Sequence, residues 1–201
     1  MKKIISIILI LALLMCATSC KQKDDDDNPS DTQTVYERLD AMADKSYSSV
    51  SVSIVTSTAK AQIFASYVLA QTDISYSIEQ INALPTDGVI TGTPSNFKTT
   101  LSGNAKVVNG KLVSVDGDNV SLPSYNELNG NFNFNEENLK NVVVGNGSLK
   151  ADVISPSKFY GTSIDANEMS IDVTFSTDSL IRVTVTYKTE NASVKTVYDF
   201  A

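Results

Sequence analysis

The sequence predicts a mainly β protein: an antiparallel meander forming a strongly curved sheet or partly open barrel, with a short N-terminal helix and one or two short helices packing on it. Three observations predict it. From residue 47 onward, apolar and polar residues alternate with the period of two that a half-buried strand imposes. The connections between most of these runs are short, as antiparallel neighbours allow and parallel ones do not. Helical periodicity is confined to brief stretches.

The elements follow in order. Thr34 and Glu37 have the spacing of a capping box, and Val35, Leu39 and Met42 recur at helical intervals, so a short amphipathic helix is expected over 34–44. In "SVSVSIVTS", Val50, Val52 and Ile54 share one face against serines on the other. "AQIFASYVL" sets Ile63, Ala65, Tyr67 and Leu69 against Phe64 and Val68, and "DISYSIEQI" continues the alternation. Residues 82–96 carry Pro and Gly and predict a long loop. Strand signals resume at Phe97, turn at Asn109-Gly110, a strong two-residue hairpin signal, and return into Leu112–Val115.

The middle is less regular. Helical turns are expected near Pro123–Leu128 and Glu136–Lys140, a hairpin at Gly145-Asn146-Gly147, and a second long loop over 154–168. Three strands close the pattern. The second alternates Ile181, Val183, Val185 and Tyr187 against Arg182, Thr184 and Thr186. The third stops one residue short of Ala201 and is expected to be tied into the sheet.

The first 33 residues have a different character. Lys2 and Lys3 precede an apolar run, Ile4 to Ala17, of fourteen residues. A spanning helix needs about 20 residues, whereas the apolar region of a secretory signal takes ~7–15. The following Ala17-Thr18-Ser19-Cys20 resembles the lipobox of bacterial lipoproteins, with Ala17 where that family prefers Leu. The resemblance implies cleavage after Ser19 and lipidation, palmitate included, of Cys20; Cys16 leaves with the signal. The chain then divides into a signal peptide (1–19), a lipidated cysteine and acidic flexible tether (20–33), and a single β-rich domain (34–201). The tether "KQKDDDDNPSD" has almost no apolar residue and repels itself into an extended form. Asp24, Asp25, Asp26 and Asp27 resemble the acidic signal that sends some Gram-negative lipoproteins to the cell exterior. An outer-membrane, lipid-anchored position, facing outward, is expected.

Composition narrows the chemistry. The chain has 16 Lys+Arg against 23 Asp+Glu, and losing Lys2 and Lys3 with the signal takes the net charge from −7 to −9. No basic footprint for nucleic acid exists in such a chain. There is no His and no Trp, which removes Ser-His-Asp and Cys-His catalysis and His-based zinc sites. Carboxylate-only chemistry survives. No cofactor or metal is implied, and a monomer is expected.

A helix, a long meander and three closing strands over residues 34–201 are similar in element order to the half-barrel of the LolA-type lipoprotein carriers. That resemblance implies an apolar ligand held on the inner face. A lipocalin-like closed barrel or a sandwich accommodates the same pattern.

Candidate site residues are few. Tyr125, Phe132, Phe134, Phe159 and Tyr160 are aromatics in or beside irregular segments, placed either to contact a ligand or partner or to pack over the open end of the sheet. Asp178-Ser179-Leu180 resembles an O-glycosylation acceptor at Ser179 and equally a tight turn. Asp116, Asp118 and Glu127 occupy positions 1, 3 and 12 of a calcium loop, but Val120 and Ser121 break it. The expected function is a non-catalytic binding or interaction module at the cell surface, its ligand a glycan, a surface protein or an apolar small molecule. A carrier of lipid and a carboxylate-based glycan hydrolase are the alternatives.

Overall fold

Serine and valine alternate in the first strand, and the same alternation sorts the two faces of the whole sheet. The computed structural model describes residues 29–70, 73–82, 98–109, 111–115 and 122–201. Helix α1 (Pro29–Ala43) leads into β1 (Val50–Thr58), β2 (Ala61–Ala70), β3 (Asp73–Asn82), β4 (Lys98–Val108) and β5 (Lys111–Ser114). Then come α2 (Tyr125–Leu128), a 3-10 turn (Glu136–Asn138), β6 (Leu139–Gly145), β7 (Ser148–Val153), α3 (Pro156–Tyr160), β8 (Glu168–Phe175), β9 (Leu180–Lys188) and β10 (Ala192–Phe200). Residues 33–201 form one compact unit.

The ten strands make a single antiparallel sheet in the order β5-β4-β3-β2-β1-β10-β9-β8-β7-β6. Two five-stranded meanders thus meet where β1 pairs with β10, from Val50 opposite Phe200 to Thr58 opposite Ala192. The sheet is open, with edges at β5 and β6, so a closed barrel is excluded.

Register explains the core. Leu149, Val173, Val183, Tyr198, Val52, Tyr67 and Tyr76 stand opposite one another across seven strands, from β7 to β3, and each is at most 4% exposed. One residue along each strand the face flips. There Lys150 pairs with Asp172, and Ser53, Ser66, Ser77 and Ser102 line up on the outer face. On the inner face the next row runs Ile171, Val185, Thr196, Ile54, Ala65 and Ile78; it is buried as far as Thr196 and half-buried from Ile54 onward.

Helix α1 covers part of the inner face with Tyr36, Leu39, Met42 and Ala43. Its end is tied down by Tyr47, whose hydroxyl donates to the Met42 carbonyl (2.9 Å) and accepts from the Leu180 N–H (2.9 Å). The aromatic ring of Tyr47 packs on Phe200, 4.7 Å between centroids.

Three details correct the sequence-based expectations. Helix α1 starts at Pro29, so Thr34 lies inside it and is not its N-cap. The 154–168 segment is not wholly loop: α3 occupies Pro156–Tyr160, with proline in its first turn and Gly161 at φ 64° closing it. Ile181 does not join the core; a bulge after Thr174 places Leu180 there, 2% exposed, and leaves Ile181 48% exposed. The "NFNFN" stretch is irregular, as expected, and it buries Phe132 and Phe134 while exposing Asn131, Asn133 and Asn135. The two hairpins form as expected, with Val108 opposite Lys111 and Gly145 opposite Ser148. Most of the long loop over 82–96 and the hairpin's Gly110 lie outside the described residues.

Candidate ligand cavity

The connections that follow β5 and β7 cross the inner face and form a roof. Helix α2 is built by a capping box the sequence carries plainly: the Ser124 hydroxyl accepts from the Glu127 N–H (3.3 Å), and the Glu127 carboxylate accepts from the Ser124 N–H (3.0 Å). The Asn-Phe alternation that follows seats two rings among those of α3. Phe132 stacks on Phe159 at 5.2 Å and meets Tyr160 and Tyr198 edge-on at 5.6 and 4.8 Å, and Phe134 meets Phe159 edge-on at 5.6 Å. Edge-on and offset ring pairs of this kind contribute about 0.5–1.5 kcal/mol each beyond area burial. Phe132, Phe134, Phe159 and Tyr160 are 0–4% exposed, so these four candidate contact residues are interior, and Tyr125 alone of the five is half-buried.

Outside this ring cluster lies a polar groove of about 380 Å³, lined by Asp40, Asp44, Asn131, Asn133, Asn135 and Lys158 among others. Asp40 holds the roof to α1, since its carboxylate accepts from the Phe134 N–H at 2.6 Å. Burial raises the Asp40 pKa above its ordinary 3.8, the Phe134 bond opposes this, and the Asp44 charge adds to it. A raised carboxylate pKa gives stability that is present below 3.8 and lost as pH rises through the folded value. At neutral pH the ionised group is therefore a net cost. We expect Asp40→Asn, which keeps an acceptor for Phe134, to be at least as stable as the parent at pH 7, with its advantage shrinking at pH 3. Asp40→Ala should lose about 1–3 kcal/mol by stranding the Phe134 N–H. Urea unfolding at the two pH values checks this, and an Asn variant as weak as the Ala variant refutes it.

Beneath the roof is a cavity of about 200 Å³. Its floor is Ile54 and Thr56 of β1, Val194, Thr196 and Tyr198 of β10, and Tyr187 of β9; its roof is Pro123, Glu127, Tyr160 and Ile164. The Tyr198 hydroxyl donates to the Glu127 carbonyl (2.5 Å) and is hydrogen-bonded to the Tyr160 hydroxyl (3.2 Å). Both oxygens accept from Tyr198, whose single proton is shared between the short bond to the carbonyl and the longer one to Tyr160. Burial pushes the Tyr160 and Tyr198 phenols well above their ordinary value of 10.0, and it also raises Tyr187, with the Glu127 charge adding to each. Tyr67, further along the same face, is pushed up to about 12 by burial and by Glu127.

A larger cleft of about 550 Å³ lies beside the ends of β6 to β9. Its carboxylates are engaged: Glu168 pairs with Lys188 at 3.1 Å, and Asp152 accepts from the Asn141 amide at 2.7 Å. Ser179 sits in the β8–β9 turn, its hydroxyl 2.8 Å from that of Ser176, so the Asp178-Ser179-Leu180 triplet forms a turn. Cys20, Asp24, Asp25, Asp26, Asp27, Asp116 and Asp118 lie outside the described residues. Among the described residues no three His, Cys, Asp or Glu are grouped to hold a metal ion, and no helix is long and apolar enough to cross a membrane.

Sequence reasoning picked the rings but not the cavity. Thr196, Tyr187 and Tyr198 lay in ordinary alternating strands, and only the β1–β10 pairing brings Ile54 and Thr56 beside them. The Ser124–Glu127 capping box was the one legible pointer, because it fixes Glu127 on the roof. A scan against protein-family models finds no match for this chain, and a search of curated proteins finds no significant relative.

Proposed function

We propose that this chain is a lipid-anchored module of the outer cell surface that binds a ligand without transforming it. The lipobox-like Ala17–Cys20 and the acidic run behind it support the anchor and the outward position. The observation that carries the binding reading is the size and make-up of the space beneath the roof. Rings fill most of it, leaving a cavity of about 200 Å³ with hydroxyls and one carboxylate on its wall. Pockets for drug-sized ligands run to roughly 300–1,000 Å³, so an acyl chain is the poorer fit and a small polar ligand the better one. Glycoside hydrolysis needs two facing carboxylates, and among the described residues Glu127 is the single one lining this cavity.

Two measurements test the proposal. Cells given labelled palmitate should transfer label to the parent chain and not to Cys20→Ser, and external protease should degrade the anchored protein on intact cells. An unlabelled, protease-protected chain overturns the anchor and its outward position. Native mass spectrometry of Cys20→Ser lacking residues 1–19 should show no stoichiometric phospholipid or fatty acid. A stoichiometric apolar adduct would replace the binding module with a lipid carrier.

A further inference from the structure

We propose that the cavity between β1, β9, β10 and the roof binds a small organic ammonium ion. This deepens the binding-module reading and rests on it. The first observation is Thr196. It is 4% exposed, and its hydroxyl takes part in no hydrogen bond of the described chain. Among the described residues no fully enclosed side-chain oxygen lacks a partner, so this oxygen opens on the cavity that Thr196 lines. Its neighbours across the sheet are Val185 and Ile54, which shows the apolar alternative the position refuses. An oxygen that opens on the cavity from an otherwise apolar row offers a hydrogen-bond acceptor to whatever occupies that space. Thr56 and Tyr187 add two more hydroxyls on the same wall without partners among the described residues.

Charge then selects the ligand. Glu127 is the one acid lining the cavity among the described residues, and neither Lys nor Arg lines it. Its carboxylate is held by the Ser124 N–H, has no Lys or Arg partner among the described residues, and lines the same cavity as Tyr160, Tyr187 and Tyr198. Aromatic faces attract cations, the more so when the cation is stripped of water. An anionic ligand would face Glu127 unscreened. A neutral apolar one would leave three hydroxyls unmatched and the Glu127 charge without a counter-ion. An ammonium group satisfies all of them: rings and carboxylate for its charge, hydroxyl oxygens as acceptors for its N–H or polarised C–H groups. A volume of about 200 Å³ limits the rest of the molecule to a few carbons.

The test uses the chain lacking residues 1–19 with Cys20→Ser, and follows the Thr196 methyl and tyrosine ring signals by NMR. The probes are ethanolamine, choline and the neutral carbon isostere of choline, 3,3-dimethyl-1-butanol. At least one cation should shift the Thr196 and Tyr187 signals saturably, and the isostere should not. Glu127→Gln keeps an acceptor for the Ser124 N–H and should bind the cation roughly tenfold more weakly. Thr196→Val, nearly isosteric, should weaken it too while melting at or above the parent temperature. Equal binding of the isostere, or undiminished affinity in Glu127→Gln, overturns the ammonium assignment and leaves a ligand cavity of another kind. No shift with any of the three probes overturns the assignment too, and a cavity that also excludes a wider set of small solutes sinks the binding site itself.

Discussion

Replacing Phe134 with alanine should lower the stability of the folded chain by about 3–5 kcal/mol, the usual cost of truncating a fully buried phenylalanine. Phe134 is 0% exposed, touches the rings of Phe132 and Phe159, and shares its backbone N–H with Asp40 of α1. Its removal loosens three things together: the roof segment, α3, and the seat of α1. Domains of this size have only about 5–15 kcal/mol in total, so the variant should unfold at far lower urea with an unchanged slope. Asn131→Ala, three residues away on the exposed side of the same segment, should stay within about 0.5 kcal/mol of the parent. Equal midpoints for the two variants would show that the ring cluster is not the keystone of the roof.

Alkali should unfold the protein steeply, and the steepness should come from two buried tyrosines of the cavity wall. Tyr160 and Tyr198 are buried and keep their protons well above pH 10.0 in the fold, whereas the unfolded chain releases them near that value. Their contribution is complete below pH 10 and is lost progressively as pH climbs through the folded values. Each retained proton contributes a slope of about 1.4 kcal/mol per pH unit in that window. Urea midpoints measured from pH 8 to about pH 11.5 should therefore fall faster for the parent than for Tyr160→Phe, by one such increment. Lysine titration is common to both chains and cancels. Parallel curves would mean that Tyr160 ionises as freely in the fold as out of it.

The strands were legible because alternation is a local signal: Val50, Val52 and the Tyr67–Leu69 face are buried as their period demands. What defeated local reasoning was geometry set elsewhere. Ile181 and Leu180 look equally suited to the core, and the bulge opposite Thr174 decides between them. The cluster "NFNFN" looked irregular because asparagine is rare in strands, and it is: Asn133 and Asn135 each use a side-chain oxygen to cap a backbone N–H two residues on. Pro156 and Gly161 bracket α3, a signal that the loop reading over 154–168 passed over, while the helical turn expected near Pro123–Leu128 is α2. The cavity was illegible because its walls come from β1, β9, β10 and two roof segments, scattered along the sequence from Ile54 to Tyr198.

The meeting of β1 with β10 also governs how the sheet can be assembled in time. Each five-stranded half is a run of hairpins between neighbours, which close quickly because little chain entropy is lost. The central seam joins Val50 to Phe200 and must wait for nearly the whole intervening chain. Until then β1 and β9 both present bare edges, the templates on which chains aggregate. Synthesis and delivery of residues 192–200 thus mark the moment when the two central edges are covered and only β5 and β6 remain at the margins of the sheet.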